Sequence, residues 1–340
     1  MIQDIMTTLI RSASRRRTGP ARIGAVFHRL VLASAALGVL VAISAVVASD
    51  AGAQQYRREP GRDYRSSVDT TFAFDARGTA ALTLGSGDIV VTAWTRDEIR
   101  VRASSESRNI RFDATPSRVL LELSNSYHSG GDTRFEVTVP VNVRVIARSQ
   151  SGDIRVAGTK GDVEARTQNG DITIENAGSR LDIVTLSGDV TARQLSGDVQ
   201  IRTMNGDVSV TDLKGDFEAE SVSGSIELRN AEGRFVRSHT TSGDVVYDGT
   251  IDANGRYELT THSGDVELSI PSSAGAQLSI STWSGAIESD FPITLKPGDH
   301  GIGAGQAKRF TFEIGNGAAR ITAESFSGDV TITSKGSSRR

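Results

Sequence analysis

Between Ser149 and Leu228 apolar and polar residues alternate in short bursts that restart every nine positions. Each burst follows a corner residue, usually Gly, and sets apolar side chains two and four positions beyond it. One series gives Ile154/Val156, Ile172/Ile174, Val190/Ala192, Val208/Val210 and Ile226/Leu228. The interleaved series gives Val163/Ala165, Leu181/Ile183, Val199/Ile201 and Phe217/Ala219. Between them stand Arg155, Thr173, Thr191, Ser209 and Glu227, and Glu164, Asp182, Gln200 and Glu218. A period of two is that of a strand with one face buried and the other wet. The pattern therefore predicts many short strands joined by tight corners.

The corners are written mostly in glycine. Gly152, Gly161, Gly170, Gly188, Gly197, Gly206, Gly215, Gly224 and Gly233 are nine apart, except for one gap of eighteen in which Ser179 fills the vacant place. Two flavours alternate, so the real unit is eighteen. The first reads T-x-S/N-G-D-I/V at Thr167–Ile172, Thr185–Val190 and Thr203–Val208, with Ser221–Ile226 as a variant. The second is looser, as in Lys160–Val163, Ser196–Val199 and Lys214–Phe217. Gly243, Gly264 and Gly285 continue the first flavour at a period of twenty-one, and a last copy centres on Gly328. A corner between short strands favours φ > 0, where Gly costs least, and the Asp after it can accept backbone N–H groups that the corner leaves unpaired.

Eighteen residues make one coil of two strands and two corners, and coils stacked at ~4.8 Å bring like residues into register. Such a coil closes its narrow core only by stacking. An antiparallel meander or sandwich would explain nine but not eighteen, because antiparallel neighbours gain nothing from identical residues in register. The expected fold is all-β, a parallel β-solenoid with two short strands per coil. A β-rich N-terminal region and a C-terminal loop and strand segment cap it.

The flanks divide the chain further. Six arginines between Arg11 and Arg29 precede an uncharged apolar stretch, Leu30–Ala48, and Ala51-Gly52-Ala53 offers small residues before Gln54. Residues 1–53 thus read as a signal peptide, or as an N-terminal membrane anchor if uncleaved. Residues 54–67 read as a flexible linker, 68–148 as the β-rich opening region, and 149–290 as the regular solenoid. Residues 291–335 read as the C-terminal cap and 336–340 as a disordered tail. With 38 Lys and Arg against 41 Asp and Glu, no basic face for nucleic acid is expected. The chain has no cysteine, which excludes disulfides and thiolate metal sites.

"LTLGSGDIVVTAW", "EVTVPVNVRVIARSQSGDIRV", the run of SGDV and NGDI corners and the ending "ITAESFSGDVTI" resemble a bacterial family of exported β-strand-repeat domains of unknown function that carry an adhesin label. The resemblance spans about Thr71 to Ser334. It implies a two-stranded solenoid facing the cell envelope and brings no catalytic residues with it.

Candidate chemistry is sparse. Asp153, Asp171, Asp189 and Asp207 stack as a ladder that either caps corners or holds a cation such as calcium. Each corner lacks the extra glycines of a calcium β-roll. Glu164, Asp182, Glu218 and Glu220 could line a polysaccharide-cleaving face, but no pair stands apart from the ladder. His239 and His262 could meet in adjacent coils. The position two before the corner Gly carries Leu186, Met204 and Val222, then His262, Trp283 and Phe326. That column is either a recognition surface or a plug over an open end. No cofactor is expected. The expected function is a non-enzymatic, exported, adhesin-like scaffold or binding protein. It would sit in the periplasm, outer membrane or cell surface of a bacterium and meet an envelope glycan or protein. The membrane would be met only through an uncleaved N-terminus. A membrane-anchored envelope-stress sensor and a polysaccharide-active β-helix enzyme are the second and third readings.

Overall fold

Ile154, Ile172, Val190 and Val208 lie side by side in register on successive parallel strands. All are buried to 1% exposure or less. The eighteen-residue unit is therefore one coil. The computed structural model describes residues 64–65, 67–105, 110–123, 133–292 and 308–335. The signal or anchor segment 1–53 and the tail 336–340 lie outside the described residues, as do most of the linker and of the loops 126–132 and 292–308. The described residues all belong to the unit Gln54–Arg340.

Twenty-seven strands form two sheets, and no helix occurs among the described residues. The opening region holds β1 (Tyr64–Arg65), β2 (Ser67–Ala73), β3 (Thr79–Ser86), β4 (Asp88–Trp94), β5 (Glu98–Ser105), β6 (Ile110–Thr115), β7 (Arg118–Leu123) and β8 (Thr133–Pro140). The repeat supplies β9 (Arg144–Ser151), β10 (Ile154–Ala157), β11 (Val163–Asn169), β12 (Ile172–Glu175), β13 (Leu181–Ser187), β14 (Val190–Ser196), β15 (Val199–Asn205) and β16 (Val208–Lys214). It continues with β17 (Phe217–Ser223), β18 (Ile226–Glu232), β19 (Phe235–Ser242), β20 (Val245–Gly249), β21 (Arg256–Ser263) and β22 (Val266–Pro271). The chain then closes with β23 (Ala276–Ser284), β24 (Ile287–Ser289), β25 (Lys308–Ile314), β26 (Ala319–Ser327) and β27 (Val330–Lys335).

Odd-numbered repeat strands stack in a fourteen-stranded sheet and even-numbered ones in a thirteen-stranded sheet. The first-flavour corner carries the chain from the first sheet to the second, and the looser corner carries it back. Inner columns such as Val163, Leu181, Val199 and Phe217 meet the Ile154 column between the sheets. Each such side chain contributes about 1.5–3 kcal/mol by leaving water. Where the period lengthens to twenty-one, the core widens to take Tyr247 and Tyr257, packed edge to face at 5.6 Å. Their hydroxyls tie down the inserted segment: Tyr247 donates to the Thr250 carbonyl at 2.7 Å and Tyr257 to that of Gly233 at 2.8 Å.

The ends are woven rather than simply capped. β26 lies between β21 and β23, and β27 between β22 and β24. The last coil in sequence is thus the next to last in space. At the other end β3 and β4 sit between β7/β8 and β9/β10. Antiparallel strands finish the stack: β6 and β5, then β1 and β2, at one end, and β25 on β23 at the other. β1 and the start of β2 also place ordered strand inside the segment expected to be linker.

Corner chemistry explains this order. Asp329 of "SFSGDV" both donates its N–H to Asp265 Oδ1 at 2.7 Å and accepts from the Ala286 N–H at 2.7 Å. It can therefore sit between two coils. The copy "TWSGAI" has Ala286 in the Asp place, with no side-chain acceptor, and it ends its sheet.

Candidate recognition surface

The corners set the register in which the outward side chains of the repeat stack. Gly188 has φ +140°, and a Cβ there would lie 2.0 Å from the Gly170 carbonyl oxygen. Stacked corners thus need glycine for both conformation and close approach. Three residues before these glycines a hydroxyl turns inward. Thr261 Oγ1 donates to the Gly243 carbonyl at 2.8 Å, Ser325 to Gly264 at 2.9 Å, and Thr282 to Gly328 at 2.8 Å. In these copies the hydroxyl is an internal clamp, whereas Thr185, Thr203 and Ser221 bury the equivalent hydroxyl without a hydrogen-bond partner among the described residues.

Asp153, Asp171, Asp189 and Asp207 do stand in one column. Each turns Oδ1 onto the N–H of the equivalent residue in the next coil. Asp171 N–H donates to Asp153 at 3.0 Å, Asp189 to Asp171 at 2.9 Å, Asp207 to Asp189 at 2.9 Å, and Ser225 to Asp207 at 2.8 Å. Ser225 replaces the carboxylate with its hydroxyl, which accepts from Asp244 N–H at 3.2 Å. The ladder is thus a chain of backbone caps. Among the described residues no three of His, Cys, Asp and Glu gather closely enough to hold a metal ion.

A second column went unread in the sequence. Asn176, Gln194, Asp212 and Asn230 all have φ between +52° and +58° and stand eighteen apart. They make the bend before the looser corner, and the Asn230 amide donates to Asp212 Oδ1. Polar side chains that tolerate the left-handed region at an eighteen-residue spacing were the available sign.

The four carboxylates considered for catalysis lie on the outer face of the first sheet, paired with arginines. Arg148 reaches Glu164 at 2.9 Å and Arg166 reaches Asp182 at 3.2 Å. Arg237 lies 3.8 Å from Glu218, and Arg202 lies 3.9 Å from Glu220. Burial pushes the Glu220 carboxyl up, against the pull of Arg202, and Glu218 adds to the rise. The neighbouring His239, opposite Glu220 in register, is held below its ordinary value by burial and by Arg237. The two histidines do not share a column: His239 faces Thr260, while His262 lies opposite Thr241.

The aromatic column is assembled by the woven end. His262 stacks on Phe326 at 4.7 Å and 12° between planes, and Phe326 stacks on Trp283 at 6.0 Å and 7°. The spatial order 262, 326, 283 departs from the sequence order because β26 is inserted. Trp283 at 50% and Phe326 at 48% are the exposed large hydrophobic side chains among the described residues. They lie on the outer face. The stripe continues through Thr241 to half-buried Val222, Met204 and Leu186. Exposed Ser242, Ser263, Ser327 and Ser284 flank it on one side. Stacking is worth about 0.5–1.5 kcal/mol per ring pair beyond burial, so the column is pre-formed and presents a rigid apolar ridge beside hydroxyls.

Comparison with known proteins adds the following. The model of a family described as Toastrack DUF4097 matches residues 81–333. No curated protein matches the chain. A crystal structure of a "putative cell adhesion protein" from Clostridium sporogenes ATCC 15579 is 11% identical, over 79% of this chain and 100% of the other, with a TM-score of 0.20.

Proposed function

The chain belongs to the Toastrack DUF4097 family, and from that premise we propose that it is a non-enzymatic, adhesin-like scaffold of the bacterial envelope. Residues 1–53 act as its export signal in this reading, and Ala51-Gly52-Ala53 is the processing site. The observation that carries the binding role is the exposed column His262, Phe326 and Trp283 beside a row of serines. Solvated sheet faces seldom leave large aromatic side chains half exposed unless a partner covers them. A rigid apolar ridge with adjacent hydroxyls suits an extended glycan or protein segment that makes repeated weak contacts along the stack. Glu164, Asp182, Glu218 and Glu220 on the same face each lie within 4 Å of an arginine, which supports a binding rather than a hydrolytic role.

A binding screen of the full chain against envelope glycans and proteins, repeated with Trp283→Ala/Phe326→Ala, tests this reading. Binding should fall about tenfold or more, with the folded state retained. Unchanged binding by the double variant, or saturable hydrolysis of any polymer offered, would overturn it. Sequencing the N-terminus of the mature protein checks the export reading, which expects a start at Gln54.

A further inference from the structure

The first sheet has one strand more than the second, and the extra strand is β25, the last in its sheet among the described residues. Among the described residues it pairs with β23 alone. Its sequence, Lys-Arg-Phe-Thr-Phe-Glu-Ile, is self-complementary about Thr311 when read antiparallel. A two-fold axis through Thr311 sets Thr311 against Thr311 of a second copy. Arg309 then faces Glu313, Phe310 faces Phe312, and each relation occurs twice. We infer that β25 is the site of a symmetric dimer, in which two copies of this chain join edge to edge and continue the first sheet from one solenoid into the other.

Three observations support a second copy over another occupant. The charges complement: the Arg309 side chain is 66% exposed and reaches its neighbour Glu324 only at 4.0 Å. Glu313 is exposed on the same face, two positions beyond Thr311. Opposite charges directly across an antiparallel pair are favourable, and like charges are not. The apolar face also matches. Phe312 is buried, whereas Phe310 packs on the core but stays half-buried. A two-fold axis perpendicular to the sheet keeps both inner faces on one side, so Phe312 of the second copy would cover Phe310. Finally, the edge is seven residues long, regular and without proline. Such an edge is a template for a further strand, and closed two-fold pairing satisfies it without open-ended growth. This inference is independent of the binding reading above, because β25 contributes no residue to the aromatic column.

The mass of the full chain in solution, measured by sedimentation or light scattering, is the primary test, and the expected result is a dimer. Arg309→Glu and Glu313→Arg should each raise the dissociation constant about tenfold or more, since each opposes like charges twice. The combined swap should restore the dimer, with thermal melts recorded to confirm that all three fold. The chain has no cysteine, so Thr311→Cys gives a second, independent test. Facing Cα atoms about 4.5–5.5 Å apart fall within disulfide reach. Mild oxidation should therefore link Thr311→Cys into a covalent dimer but leave Glu175→Cys, on the outer face of β12, unlinked. A monomeric wild type at micromolar concentration overturns the inference. So does a dimer indifferent to Arg309→Glu, or cross-linking of Thr311→Cys no greater than that of Glu175→Cys.

Discussion

Gly188 and Gly158 both have positive φ, yet they should answer differently to substitution. At Gly188 the φ of +140° is joined by a Gly170 carbonyl 2.0 Å from any added Cβ, so Gly188→Ala meets backbone that cannot step aside. A loss of about 3 kcal/mol or more is expected in chemical denaturation. At Gly158, φ is +79° and the nearest atom lies 3.6 Å away, so Gly158→Ala should cost only the backbone term, about 1–2 kcal/mol. Asp189 makes a different point. Its Oδ1 caps the Asp207 N–H, so Asp189→Ala should cost about 1 kcal/mol while Asp189→Asn, which keeps an oxygen there, costs less. Added calcium should leave the melting temperature of the wild type unchanged if the ladder is only a row of caps. Glu220 titrates in the opposite sense to an ordinary paired carboxylate. Its folded value is raised above 4.5, so the folded state holds the proton more tightly than the unfolded state does. Stability from this group is complete below 4.5 and is lost as pH rises through the raised value. Glu220→Gln should therefore melt higher than wild type at pH 7 and lose that advantage near pH 4, which parallel melts at the two pH values would check.

At the scale of the strand and coil, the sequence was legible wherever the physics is local and periodic. Alternation around Ile172 and Val190 named the inner columns, and the T-x-S/N-G-D unit named the corner. Deleting one whole coil, residues 190–207, should keep every remaining column in register and leave a folded protein with an unchanged strand spectrum. Deleting residues 199–207, half a coil, would drive strands of one sheet into the other and should abolish the cooperative melt. What could not be read was which coil neighbours which. "THSGDV", "TWSGAI" and "SFSGDV" carry nearly the same local pattern, and nothing in that pattern orders the stack. Only Ala286, where the others have Asp, marks the last coil, and its meaning emerges once the Asp caps are seen linking one coil to the next. The inward Thr was legible in part. Period two sets Thr261 in step with Tyr257 and Leu259, and Thr282 with Leu278 and Ile280, but the carbonyl that receives each hydroxyl belongs to another coil and could not be read.

Across the whole molecule, the woven ends have two consequences. They lock the chain's last strands between two other coils, so opening at this end must release several strands together instead of one. They also set the order of the aromatic column, because Phe326 meets both His262 and Trp283 only if β26 is inserted. The order of the recognition surface and the topology are thus one claim. Pulsed electron-spin distances test it directly, with spin labels at pairs of cysteines in this otherwise cysteine-free chain. From a label at Thr173 on β12, labels at Glu267, Thr331 and Glu288 lie in one outer column, five, six and seven strands away. At ~4.8 Å per strand the separations should be about 24, 29 and 34 Å, with Thr331 nearer than Glu288 despite lying later in the chain. A distance to Thr331 longer than that to Glu288 would mean that the C-terminal coil sits at the end, and His262 would then meet Trp283 in place of Phe326.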